Sequence, residues 1–481
     1  MKNKLMIVIP ILVWLVIGIY GIGYNITYID EAKYLIKGWL ITTGQVGYYS
    51  TPEFFYQHMP GIFLWYGLGQ TFFGPSLLLA RIQSFFVGLG VLWITYRLAG
   101  KKVLPLLALA PVAILYYSAA VPQSIIALVL LMAFYCLVKN RYRLATLAFS
   151  LSFIIRENFL FTLIIYWLWL MVIYRKNLKE LLINYLISLT ILAIFFLPGW
   201  PGTINILKNF PGVSRLLPVN AAEKTVLGLN RFVDFGLKQY WQAIKEFGGL
   251  FFSFGLVGIL ALLRAVKAGK IWPKDSRWRL LIVVTATNFV AHVWSAANLS
   301  PRAVIAYFAY SFPLIAIIFT RWLGNKKIKY YPFLLVLSLI GLPFASLFQL
   351  PDRPNTISEL DRSARALRPL VADKQKIVWL AEPISLYLAG KVSYYPLINH
   401  TNFYKPSNDT LTIRKLGFWN QAMMAEWLNE ADLIVLDYNR LKIVSDNNLT
   451  QIIENKVNNN YTFIQTPENI WPGNLSFFSP L

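Results

Sequence analysis

Apolar runs long enough to cross a bilayer recur along the first 350 residues, and polar residues gather in the gaps between them. About 17–25 apolar residues in a helix cover the roughly 30 Å of hydrocarbon. The pattern therefore predicts an α-helical polytopic membrane protein. Eleven spans fit it, near 5–23, 77–96, 103–119, 121–138, 143–156, 159–174, 181–198, 248–265, 280–297, 303–320 and 331–349. The fifth and sixth are short, as tilted or broken helices are. The first opens behind Lys2 and Lys4 in the manner of a signal peptide. It runs on to about Gly23 with no small-x-small cleavage site, and reads as a retained span.

Two gaps are long. Residues 24–76 carry a helical pattern from Asp30 to Leu40, suited to a helix lying along the membrane surface. Residues 199–247 begin in Gly199-Trp200-Pro201-Gly202 and continue as an amphipathic stretch, either a lid over a site or a plain connection. After Leu350 the pattern changes. A helical stretch, Ile357–Leu370, leads into the strand-like Lys376–Leu380, and a further helical stretch precedes the apolar Asp432–Asp437. Alternating helix and strand predict a small α/β domain over 351–481, following a membrane domain over 1–350. No Gly-rich phosphate loop accompanies its strands, so it is not read as nucleotide-binding.

Composition agrees: mean hydropathy is +0.52 and 14% of residues are charged, where about 25% is usual for soluble domains. The net charge of +23 would suit nucleic acid, but its location argues for another cause. Of the 45 Lys and Arg, 21 lie in alternate short gaps, opposed there only by Glu180 and Asp275. Basic residues in alternate loops resist translocation, so the charge reports topology rather than a nucleic-acid partner. It puts the N-terminus in the cytoplasm and, with an odd number of spans, the α/β domain outside. That domain is near neutral, with 13 basic and 13 acidic residues. The lone Cys136 excludes an intramolecular disulfide and a Cys-based metal site.

Topology also selects the candidate chemistry, because polar groups at the outer ends of spans face one aqueous side. They are Asp30 and Glu31; His58 beside Pro60; Arg81, with Arg156-Glu157-Asn158; and Arg302. Interfacial Arg often snorkels into water, and Arg156 and Glu157 also read as an internal ion pair. Yet Arg is disfavoured on the outer face, and guanidinium forks suit a lipid phosphate at headgroup depth. Asp30-Glu31 reads either as a helix N-terminal acid pair favoured by the helix dipole or as a general base. With His58, the two acids are also a candidate ligand set for a divalent metal ion.

Asp30-Glu31-x-x-Tyr34 resembles the acidic motif of the polyprenyl-phosphate-dependent, multi-span glycosyltransferases of the C-superfamily. The nearest groups are the protein O-mannosyltransferases and the aminoarabinose transferases that modify lipid A. His58-Met59-Pro60 is similar to their His-Pro-Pro or Lys-Pro-Pro segment, with Met59 replacing the first Pro. Ala80-Arg81-Ile82-Gln83-Ser84 is similar to their Ala-Arg-x-x-Ser, and Pro301-Arg302 with Phe312-Pro313-Leu314 to their late elements, with Ala303 where Tyr is usual. Gln123 stands where these enzymes often place an acid, which weakens the metal reading.

The resemblance covers about residues 1–350, and the α/β tail is similar to the outer domain that many such enzymes append. It implies transfer of one sugar from a polyprenyl-phosphate donor to a protein, lipid or polysaccharide acceptor on the outer face of a prokaryotic cell membrane, with inversion. It implies Asp30 as base with Glu31 in support, Tyr34 and His58 at the substrate, and Arg81, Arg156 and Arg302 at the donor phosphate. Two rivals stay open. A transporter or flippase would place ionisable residues within spans and show repeats, and a polysaccharide ligase or polymerase would differ only in acceptor.

Overall fold

The computed structural model describes residues 2–24, 29–46, 59–199, 237–299, 303–324, 328, 330–341, 356–394, 397–398, 404–415, 418–439, 441, 447–464, 470 and 475–481. From the N-terminus come α1 (Lys2–Tyr24), α2 (Ile29–Thr42), α3 (Pro60–Phe73) and α4 (Leu77–Ala99). Two short pieces follow, α5 (Leu104–Ala108) and α6 (Pro111–Tyr116), and then α7 (Gln123–Val138), α8 (Tyr142–Ile155), α9 (Leu160–Ile173) and α10 (Leu178–Phe196). Next are α11 (Leu237–Lys267), α12 (Ser276–Leu299), α13 (Ala303–Leu323) and α14 (Tyr331–Gly341). The C-terminal segment holds α15 (Ile357–Val371), β1 (Ile377–Leu380), α16 (Pro383–Leu388), α17 (Thr410–Lys415), α18 (Gln421–Glu430), β2 (Leu433–Asp437), α19 (Asn447–Asn460), β3 (Tyr461–Ile464) and β4 (Leu475–Pro480). The chain forms two compact units, one of Met1–Asn25, Arg81–Phe195 and Val233–Leu350, the other of Ile26–Ala80, Phe196–Phe232 and Pro351–Leu481.

The first unit is a helical membrane fold. Among the described residues, stretches of α1, α4, α10 and α13 are long and apolar enough to cross a membrane; α7, α8, α9 and α14 are apolar but shorter. α10 shows how its sequence sorts its faces. Leu182, Leu186 and Leu189 are exposed, as lipid-facing residues would be, while Asn184 and Ser188 are buried. Asn184 Oδ1 accepts from Thr146 Oγ1 at 2.6 Å, and Ser188 bonds Ser150 at the same distance. Such polar pairs hold helices together where hydrocarbon offers no hydrophobic drive.

The expected continuous span over 103–119 does not form. Ala110, preceding Pro111, leaves the helical region (φ −125°, ψ 64°), and the chain splits into α5 and α6. Every residue from 103 to 127 is buried, so this broken element is enclosed by protein rather than lipid. That enclosure is where a membrane fold tolerates interrupted helix. α1 packs on both pieces, and a Cβ at Gly21 would strike Ser118 Oγ and lie 3.2 Å from Leu115 Cδ2.

The second unit is built on a four-stranded sheet of order β1-β2-β4-β3. β1 and β2 are parallel, and β4 runs antiparallel to both β2 and β3. Strand residues alternate between two cores, Ile377 and Trp379 on one face, Val378 and Leu380 on the other. Cover on both faces explains why β1 reads as an unbroken apolar run. α16 packs on α2 of the first long loop. Trp39 meets Tyr387 edge to face at 5.9 Å, and the Tyr387 hydroxyl donates to Gln70 Oε1 at 3.2 Å. The first loop and the α/β segment thus share one unit.

Candidate active site

α2 forms as its pattern predicts, but it is enclosed rather than lying half-exposed: residues 31–38 are all buried. Its partner is α3, a helix inside the stretch 24–76 for which the pattern predicts only the helix from Asp30 to Leu40. Glycines allow the approach. A Cβ at Gly38 would strike the Phe63 carbonyl and lie 2.8 Å from Gly67 N, and Thr42 and Thr71 bond across the same seam at 2.5 Å.

Asp30 and Glu31 occupy the first turn, where carboxylates meet the positive end of the helix dipole. Successive helical residues do not face each other, and the two acids diverge: Glu31 is buried, whereas the Asp30 side chain is 50% exposed. Asp30 Oδ1 accepts from Lys33 Nζ at 2.7 Å, and that ammonium lies 5.2 Å from the Tyr34 ring centroid. One turn on, Lys37 is fully buried with its Nζ 5.7 Å from the Phe63 ring. Burial, then the like charge of Lys33, holds the Lys37 ammonium well below its usual pKa. Tyr34 is buried against Phe63 and Tyr66. His58 lies outside the described residues, and among those described no three His, Cys, Asp or Glu gather as metal ligands.

Arg81 and Arg156 both belong to the first unit. Arg81 is fully buried in the first turns of α4, so it does not snorkel. Its Nη1 donates to the Ile22 carbonyl at 3.1 Å, in the last turn of α1, where carbonyls lack partners within the helix. Arg156 is the residue after α8, with Nε 3.6 Å from Glu157 Oε1, as the ion-pair reading expects. Gln123 opens α7 and donates to the Ala306 carbonyl at 3.4 Å. Arg302 and residues 200–236 of the second long loop lie outside the described residues.

The sequence reading missed three buried groups. Two are Lys33 and Lys37, on the same helix as Asp30; their spacing from it was visible, their burial was not. The third is His292 on α12, within electrostatic reach of Arg156. Its ring stacks on Tyr307 at 5.2 Å and meets Phe159 and Tyr310 at 5.3 and 5.4 Å. Neither ring nitrogen has a hydrogen-bond partner among the described residues. It is one of three histidines in the chain, and an ionisable residue inside a span is a functional candidate by default.

No protein-family model matches the chain, and no curated protein matches it in sequence. Solved structures do. The chain is similar to ArnT from Cupriavidus metallidurans in the apo state, with a TM-score of 0.55, and to the same protein bound to undecaprenyl phosphate, with a TM-score of 0.50. Each likeness covers 100% of this chain and 98% of that one at 10% identity. Over its whole length the chain thus has the fold of ArnT, an aminoarabinose transferase of the multi-span glycosyltransferase group that its motifs resemble.

Proposed function

We propose that the chain is a membrane glycosyltransferase that moves one sugar from a polyprenyl-phosphate donor to an acceptor on the extracytoplasmic face, with inversion. The observation that carries this reading is the half-exposed Asp30 carboxylate, fixed by Lys33 on a buried helix, in a chain of ArnT fold. The Asp30 carboxylate takes the proton from the acceptor hydroxyl or amine. The freed acceptor atom bonds to the anomeric carbon, and the bond from that carbon to the phosphate oxygen breaks, its electron pair leaving with the lipid phosphate. Charge growing on that oxygen calls for preorganised cations, the role of Arg156 and Arg302, while Arg81 ties the start of α4 to the end of α1. Glu31, Tyr34 and His58 position the acceptor or donor sugar. Because Asp30 and Glu31 diverge, no step runs through a shared metal ion.

The basic loops support an N-terminus in the cytoplasm and the α/β segment outside. Incubating purified protein with a panel of polyprenyl-phosphate sugars tests the reading. Release of free polyprenyl phosphate with transfer to an acceptor supports it. Transport of the intact lipid across a vesicle wall, with no sugar released, overturns it.

A further inference from the structure

The basic end of the first unit carries a second kind of site. Between α11 and α12 the chain turns at Gly269 (φ +59°) and folds back over residues 270–275. Arg279 clasps this turn, donating to the Pro273 carbonyl at 2.7 Å and the Lys274 carbonyl at 3.0 Å, and Trp322 Nε1 donates to Ile271 O at 3.4 Å. The turn and the end of α13 enclose a pocket of about 520 Å³ lined by Lys270, Lys274 and Arg321 with Trp272, Trp278 and Trp322. The Arg321 guanidinium carbon lies over the Trp278 ring, 3.7 Å from its centroid.

Asp275 opposes these three cations only in part, because its hydrogen bonds go to Arg277. Arg277 takes its carboxylate in a fork, Nε to Oδ1 at 3.0 Å and Nη2 to Oδ2 at 2.7 Å, which holds it below the usual carboxylate range. The pocket continues into an apolar cavity of about 310 Å³ between α11, α12 and α13, with Ile282, Ile318 and Trp322 lining both. Gly255 lies on this cavity, where an added Cβ would meet nothing within 4 Å. A water-soluble anion has no use for such an extension; an acyl chain fills it.

We infer that this pocket binds an anionic glycerophospholipid of the bilayer, its phosphate among Lys270, Lys274 and Arg321 and one acyl chain in the adjoining apolar cavity. Tryptophan and basic side chains meet at headgroup level in membrane proteins for this reason. The pocket lies apart from the buried histidine of the same helix: Ser276 and His292 of α12 are separated by about 24 Å at 1.5 Å per residue.

The test is native mass spectrometry of the full chain in detergent, titrated with phosphatidylglycerol, phosphatidylcholine, undecaprenyl phosphate or inorganic phosphate. Phosphatidylglycerol is expected to bind more tightly than phosphatidylcholine, with inorganic phosphate failing to displace it. The exposed pair Lys270→Gln/Lys274→Gln should weaken phosphatidylglycerol about 20–30-fold, from roughly fivefold per basic residue near an anionic lipid. Gly255→Leu, which fills the apolar cavity and leaves the charges, should weaken it as well. Equal binding of the two phospholipids, displacement by inorganic phosphate, preference for undecaprenyl phosphate at this site, or unchanged affinity in both variants would overturn the proposal.

Discussion

Lys33 Nζ stands 2.7 Å from Asp30 Oδ1, the ammonium almost wholly enclosed and the carboxylate half open to water. A buried donor three residues along a packed helix gives an exposed acid one orientation, which is what a general base needs and an ordinary N-terminal acid does not. Replacing the cation with an apolar side chain of similar length removes that orientation without leaving a buried charge unpaired. Lys33→Met is expected to lower transfer about tenfold to a hundredfold, the scale of a misplaced catalytic group, with the melting temperature unchanged or raised. Full activity in that variant would reduce the pair to a structural one.

The α2–α3 seam rests on glycine. Gly38→Ala puts a methyl group into the Phe63 carbonyl and the backbone of Gly67. Neither partner is the end of a flexible side chain, so the helices must separate, at a cost of about 1–3 kcal/mol. Thermal unfolding in detergent should show the loss; an unchanged melting temperature would mean that the seam yields freely.

Lys37 makes stability depend on pH on the alkaline side. Its folded pKa lies below its unfolded value of 10.5, so the unfolded chain binds the extra proton. The penalty is fully present below the folded pKa and fades as pH rises through it toward 10.5. Lys37→Met should therefore be more stable than the parent at neutral pH, and the gap should narrow as pH rises. A gap that widens toward alkaline pH would contradict the assignment.

Two arginines are expected to separate cleanly. Arg81→Ala strips a buried carbonyl of α1 of its donor, a loss of about 1–3 kcal/mol seen as a lower melting temperature. Arg302→Ala is expected to raise the donor KM with little change in melting. An Arg302→Ala protein with unchanged donor dependence would return that residue to a snorkelling role.

What was legible follows from which physics the sequence records. Apolar runs and basic loops mark a membrane fold, because lipid and translocation read them directly. Hydropathy cannot tell lipid from enclosing protein, so the run around Pro111 passed for one span when it is two buried pieces. α3 went unseen because its apolar face pairs with α2 through glycines rather than with lipid. In the α/β segment β1 and β2 were visible as apolar runs, whereas β3 is partly exposed and Ser476, Ser479 and Pro480 interrupt the apolar residues of β4. Asp30 stood out because acids are scarce; the burial of Lys33, Lys37 and His292 is a property of packing that no local pattern encodes.

The most direct measurement is sugar transfer from a polyprenyl-phosphate donor by Asp30→Asn, alongside its melting temperature. Asn keeps an oxygen that can accept from Lys33, so the fold and the local bond are retained while the base is lost. The account predicts a rate lower by about 10²–10⁴-fold, the usual contribution of a general base, at an unchanged melting temperature. Transfer near the parent rate would contradict it and remove Asp30 from the chemistry.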